Sequence, residues 1–148
     1  MERVLTAYVD GSFDSTTKRY GWGICAIDGE KTYISCGSDN KSGPSKMHNV
    51  AGEINAAIIA MRWAASQGYD TLELYYDYQG IEKWPTGQWK AKNEYTQQYV
   101  YNYKIISEKI KINFHKVKAH SGDKYNEIAD QLAKKGLLKE LERKNDIA

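Results

Sequence analysis

The sequence predicts an α/β protein in which one mixed β-sheet carries helices packed against it. Three observations lead there. Segments whose apolar residues recur every second position give way, from about Asn49, to segments with apolar residues at helical spacing. The resulting order, β-β-β-α-β-α-β-α, asks for a right-handed crossover between parallel strands. The 148 residues suit one domain, and no internal repeat, low-complexity tract or linker divides them.

The stretch Leu5–Phe13 opens with a strand, in which Leu5, Ala7 and Val9 alternate with Thr6, Tyr8 and Asp10 and which Asp10 is expected to end. Asp10 does not suit a half-buried strand. It must be paired or bind a metal, or desolvation would neutralise it. Taken alone it reads more simply as an acid capping the strand, with Gly11 and Ser12 turning the backbone. A second strand, about Tyr20 to Asp28, follows the polar turn at residues 15–18. Asp28-Gly29 signals a hairpin into a third strand, Lys31 to Gly37. Residues 38–47, rich in Ser, Gly, Asn and Lys, read as a loop.

Ile54, Ala57, Ile58, Met61 and Ala65 then form one helical stripe, with Asn49 as N-cap and the end near Gly68. Thr71 to Tyr76 returns to strand and stops at Asp77. Gly80 to Trp84 is at best a short helix before Pro85 and Gly87. A polar helix follows, about Asn93 to Lys109, with Tyr95, Tyr99 and Tyr103 four apart. Lys111 to Val117 is the fifth strand. A loop through His120 enters the last helix, about Tyr125 to Arg143, buried through Ile128, Leu132 and Leu137.

A hydrophobic fraction of 41% and a charged fraction of 27% are ordinary for a globular protein with a real core. No apolar run approaches the roughly 18 residues of a membrane span. The first strand begins within a few residues of Met1, which leaves no room for a targeting segment, so a cytoplasmic, stand-alone protein is expected. Cys25 and Cys36, on neighbouring strands, are expected to be buried free thiols. Charge is unevenly spread: residues 1–82 hold 7 Lys/Arg against 11 Asp/Glu, and residues 83–124 hold 9 against 3. That suits a protein gathering cations at one point and polyanions around it, and equally a solvated lysine-rich face.

Four carboxylates share a pattern. Asp10 and Asp77 end strands that a right-handed crossover would place side by side. Glu53 and Asp130 each lie one turn into a helix, beside an apolar stripe. Each of these two alone is explained by the helix dipole. All four together would raise one another's pKa values unless cations neutralised them. Mg²⁺ accepts few protein carboxylates and leaves room for phosphate oxygens. Two such ions roughly 4 Å apart clamp the attacking and leaving oxygens of a phosphodiester displacement.

Tyr8-Val9-Asp10-Gly11-Ser12, Asn49-Val50-Ala51-Gly52-Glu53, Tyr75-Tyr76-Asp77-Tyr78-Gln79 and the run Val117 to Asp130 resemble the motifs of type 1 ribonuclease H, in that family's order. The last is the most specific, with His120, Gly122, Asn126, Glu127, Ala129 and Asp130 at family spacing. The resemblance implies the ribonuclease H-like fold, a five-stranded mixed sheet in the order 3-2-1-4-5. It implies an endonuclease that cuts the RNA strand of RNA–DNA hybrids, leaving 3′-hydroxyl and 5′-phosphate ends. Asp10, Glu53, Asp77 and Asp130 would hold two Mg²⁺ ions, with Mn²⁺ a possible substitute. His120 would assist proton transfer or product release, whereas His48 and His115 carry no catalytic expectation.

Gly11, Ser12, Asn49 and Gln79 match family positions that approach the minor groove, where 2′-hydroxyls distinguish RNA from DNA. The chain departs from the family at Val50, where many members have a second asparagine, and at His48, where many have threonine. Trp84 and Trp89, interleaved with Lys83, Lys90 and Lys92, form the candidate surface for the DNA strand. Core packing is an equal reading for Trp84. A longer basic insertion of some bacterial members is missing here, which predicts weaker hybrid binding and low processivity. The protein is expected to be a monomer. A non-catalytic binding module on the same fold would have lost an acid, and none is lost. Strand-transfer and junction-cleaving relatives lack the His120-to-Asp130 motif, while a reverse-transcriptase domain would share it.

Overall fold

The computed structural model describes residues 2–39, 47–118 and 123–147, with the side chains of residues 48, 49 and 139–147 excepted. His120 lies outside the described residues.

Five strands form one sheet in the order β3-β2-β1-β4-β5: β1 Val4–Asp14, β2 Arg19–Asp28, β3 Lys31–Asp39, β4 Thr71–Tyr76 and β5 Lys111–Lys116. The first three pair antiparallel through tight turns, with Lys18 (φ 60°) and Gly29 (φ 61°) taking the left-handed conformations those turns need. β4 joins β1, and β5 joins β4, in parallel. The expected sheet, mixed and in this order, is the one found.

β1 is longer than its alternation suggests. It runs on through Gly11 and Ser12, which pair with Trp22 and Gly21 of β2 instead of turning the chain. The glycine is there for a different reason. A Cβ on Gly11 would lie 2.4 Å from the amide nitrogen of Glu53, on the helix that crosses this strand. That helix, α1, spans His48–Ser66. Its N-cap is Met47, without a side-chain hydrogen bond, so Asn49 sits inside the helix and is not the cap expected of it. Gly68 (φ 79°) closes its far end, its amide bonded to Ala65 at 3.2 Å.

α1 is buried on more than the one stripe. Ile54, Ala57, Ile58 and Met61 are joined in the core by Ala56, Ala60 and Ala64, while Ala65 is only partly covered. The alanines let the helix backbone lie close to Leu5, Ala7, Val9, Leu72 and Leu74, all fully buried. Beyond α1 come a short helix α2, Gly80–Lys83, and α3, Glu94–Ser107. Asn93 caps α3 reciprocally with Thr96, and the Tyr99 hydroxyl donates to the Ile81 carbonyl at 2.6 Å. α3 stops two residues short of the expected Lys109.

The opposite face of the sheet is covered by α4, Lys124–Ile147, lying over β1, β2 and β3. The Asp123 carboxylate accepts from the amides of Tyr125 and Asn126 at 3.0 and 3.1 Å and caps it. Both cysteines are free; Cys25 is buried, but Cys36, on the edge strand, is only partly so. Among the described residues no helix is long and apolar enough to cross a membrane.

Candidate active site

The site begins where two parallel strands part. The β1–β4 ladder ends at Tyr8 and Tyr75, and β4 itself ends at Tyr76. β1 continues on β2 alone, so Asp10, paired with Gly23, faces a sheet edge that did not exist two residues earlier. Asp10 is therefore mid-strand and not at a strand end, and the ladder's end makes the opening. Asp77 follows β4 at the same mouth.

Glu53 comes from α1 and is 4% exposed. Its Oε1 accepts the backbone amides of Asp77 at 2.6 Å and Tyr78 at 3.2 Å, tying the helix to the end of β4. Two glycines permit the approach. A Cβ on Gly52 would meet the Gly21 carbonyl oxygen at 2.1 Å and the Gly11 Cα at 3.0 Å. With no side chain at Gly52 or Gly11, helix backbone rests on strand backbone and Glu53 arrives beside Asp10. Asp130 comes from α4, across the sheet. Its carboxyl acts on that of Asp10, raising its pKa, and its Oδ2 lies 3.2 Å from the Lys134 ammonium.

These acids oppose one another. Burial pushes the Glu53 carboxyl up to about 8, with the charges of Asp10 and Asp77 adding to it, although the two amides pull the other way. Burial also holds Asp10 well above the usual carboxylate range, as do Asp130 and the charge of Asp77; the Gly11 amide, 2.9 Å from Oδ1, pulls it back. Among the described residues no three His, Cys, Asp or Glu side chains close into a ready-made metal cage. The donor set nevertheless fits Mg²⁺ in its chemistry: hard, anionic oxygens, crowded enough to hold protons they would otherwise lose. Divalent charge would relieve that crowding.

The expected substrate-binding positions are brought to the same mouth unevenly. Gly11 and Ser12 lie in β1 next to Asp10, and Gln79 is exposed just after Asp77. The side chain of Asn49 lies outside the described residues. Trp84 and Trp89 pack on each other edge-to-face at 5.6 Å and on Tyr78 at 5.8 and 6.0 Å, with Lys83 over Trp89 at 5.3 Å. Both are half-buried, and Trp84 packs against the core as its alternative reading expected. One participant escaped the sequence reading: Lys134 is marked only by standing four residues after Asp130, the spacing of a helical ion pair, while Gly52 stood in the motif with Glu53 without a role being read from it.

The RNase H family model matches residues 2–138. A ribonuclease H of Chlorobaculum parvum is 30% identical over 149 residues, covering 90% of this chain and 95% of the relative. One of Chlorobium phaeovibrioides is 27% identical, covering 94% and 99%. Among solved structures, RNase H1 of Halobacterium salinarum superposes with a TM-score of 0.71 at 26% identity, covering 90% of this chain and 97% of that one. LC11-RNase H1, in complex with an RNA/DNA hybrid, does so with a TM-score of 0.69 at 19% identity, covering 90% and 99%. This chain therefore belongs to the RNase H family.

Proposed function

We propose that the protein is an endonuclease hydrolysing the RNA strand of RNA–DNA hybrids, leaving 3′-hydroxyl and 5′-phosphate ends. Asp10, Glu53, Asp77 and Asp130 would hold two Mg²⁺, with Mn²⁺ able to substitute. The observation that supports this reading best is the meeting of acids from β1, α1, the end of β4 and α4, with Asp10 and Glu53 both held above the carboxylate range. Folding does not need such crowding, and a substrate phosphate would be repelled by it without cations. When bound, the ions would supply positive charge at the attacking and leaving oxygens of an in-line displacement.

The chain's own residues supply position. Glu53 keeps α1 and the Asp77 backbone in one piece, so the acids on β1 and after β4 hold their spacing. The backbone at Gly11 and Ser12, with Asn49 and Gln79, would read the minor groove, where the RNA strand offers 2′-hydroxyls. The Tyr78, Trp84 and Trp89 cluster with Lys83 would carry the DNA strand. His120 would pass a proton at the scissile phosphate or help the product leave. The hybrid-bound RNase H1 neighbour supports the substrate class.

One assay tests the proposal. The protein is incubated with an RNA–DNA hybrid, duplex DNA, duplex RNA and single strands, in Mg²⁺, Mn²⁺ or chelator. Cutting confined to the hybrid's RNA, dependent on the cation, is expected; cutting in chelator, or of duplex DNA, defeats the reading.

A further inference from the structure

Tyr76 has two attachments. Its backbone leads into Asp77, and its carbonyl accepts the Val117 amide at 2.7 Å, so it ends β4 where the candidate acids begin. Its side chain packs into the core and is 3% exposed. There the hydroxyl donates to the Glu82 carboxylate, on the short helix α2.

α2 needs an outside hold. Its four residues make about one turn, too little to keep a direction of its own. Besides the bond from Tyr76, the Tyr99 hydroxyl grips the Ile81 carbonyl, and the Trp89 amide donates to the Lys83 carbonyl at 2.8 Å, folding the chain after α2 back on it. Gly80 gives the rings room, since a Cβ there would lie 2.5 Å from both the Tyr78 and the Trp84 rings. The cluster of Tyr78, Trp84 and Trp89, with Lys83 over Trp89, therefore takes whatever tilt α2 is given.

An acid is a poor choice for this grip if folding is its purpose. Ile81 and Pro85 are buried and Glu82 is half-buried with them. The Glu53 charge acts on the same Tyr76 hydroxyl, so a second carboxylate there adds to the crowding. An apolar residue packed on Tyr76 would serve stability as well. What the carboxylate supplies is aim, because a charged acceptor holds an O–H in a stronger and more directional bond. With its hydroxyl committed to Glu82, Tyr76 also leaves Glu53 to the amides of Asp77 and Tyr78.

A duplex makes that aim matter. On the proposed reading the acids face the RNA phosphate to be cut and the tryptophans face the DNA strand, two contacts whose separation the duplex itself fixes. The backbone of Tyr76 carries Asp77 and its side chain holds α2, so one residue ties both contacts together. We propose that Glu82 is a positioning residue: held by the Tyr76 hydroxyl, it sets the tilt of α2 so that Trp84 and Trp89 meet the DNA strand in register with the acids. The inference rests on the hybrid-cleaving reading above.

Glu82→Ala should raise KM for an RNA–DNA hybrid by about tenfold, the loss of one charge-assisted hydrogen bond, with kcat within about twofold of wild type. Glu82→Gln, whose amide oxygen still accepts from Tyr76, should recover most of the loss. Tyr76→Phe should match Glu82→Ala, and the double variant should be no worse than either, because both remove the same bond. The Mg²⁺ concentration giving half the maximal rate should stay at the wild-type value. Thermal melting confirms that each variant is folded. Glu82→Ala melting lower with a wild-type KM overturns the inference, as does a KM raised equally by Glu82→Gln, or additive losses in the double variant. Hybrid binding, followed by fluorescence anisotropy in an Asp10→Asn background, separates this from the catalytic reading. If the wild type binds the hybrid and cuts nothing, the catalytic reading alone fails, and equal affinities with and without Glu82→Ala overturn the role of Glu82. If no hybrid is bound, both fall.

Discussion

Glu53, buried, and Glu73, partly enclosed, are carboxylates within reach of the same sheet, and their surroundings are opposite. Glu73, on β4, is met by His115 Nε2 at 2.5 Å and Asn113 Nδ2 at 2.9 Å. Those donors, the histidine above all, hold its carboxyl below the usual range. Glu53 meets two backbone amides but is buried among other acids, and its carboxyl stands at about 8. Glu73 is a charge the fold has satisfied. Glu53 belongs to a set the fold has left in want of positive charge, which separates a structural acid from one available for chemistry.

The largest break in this contrast is at Asp10. Asp10→Asn removes one charge from the crowded set while keeping its shape. Hybrid cleavage is expected to fall by about a thousandfold or more, the loss of several kcal/mol of charge stabilisation. The metal-free protein should become more stable at pH 8, because one repulsion is gone. Cleavage kinetics and thermal melting in chelator check both halves. A variant that cuts at wild-type rate, or melts lower in chelator, would remove Asp10 from the site.

A second break comes through backbone contact. Gly52→Ala places a methyl 2.1 Å from the Gly21 carbonyl oxygen, a backbone atom that cannot swing away. Separating α1 from the strands should cost about 1–3 kcal/mol and lower cleavage further than the stability loss accounts for. Gly29→Ala, at a left-handed turn with nothing within 4 Å of the added carbon, is the comparison. It should cost about 1 kcal/mol and leave cleavage alone.

How much of this was written in the chain is clear from the same residues. The period-2 and helical patterns place the strands and helices because burial demands those faces. The four acids stand out because charge at the edge of an apolar stripe is costly. The extension of β1 past Asp10 was not legible, since Gly11-Ser12 has turn chemistry and only the pairing of β2 alongside overrides it. Nor could spacing reveal that Gly52 touches Gly11 and Gly21, because that contact joins α1 to a hairpin remote from it in sequence. The Glu73–His115 pair was hidden likewise: it crosses two parallel strands, and register alone sets Tyr75 beside His115.

The two glutamates should also separate by pH. In chelator, Glu53 binds its proton more tightly folded than unfolded, so its contribution is fully present below about 4.5 and gone above about 8. Stability should therefore decline across that window, and Glu53→Gln should flatten the decline. Mg²⁺ at pH 8 should restore what was lost. Glu73 acts with the reverse sign: its contribution is present above the usual carboxylate range and lost as pH falls through its depressed folded value. Melting temperatures from pH 4 to 9, with and without Mg²⁺, decide the matter; equal slopes for wild type and Glu53→Gln would sink it.

The smallest effect expected is at Glu73 itself. The His115 and Glu73 side chains are 41% and 27% exposed, so water competes with their ion pair and Glu73→Gln should cost less than about 1 kcal/mol. The amide can still accept from Asn113, and the stack of Tyr8, Tyr75 and His115, with ring centroids 4.5 and 4.6 Å apart, continues to hold the strands' aromatic face. Hybrid cleavage and Mg²⁺ affinity should match wild type. If Glu73→Gln instead weakened Mg²⁺ binding as Glu53→Gln does, satisfaction by neighbouring donors would no longer mark an acid as structural, and the contrast would have to be redrawn on distance to Asp10 alone.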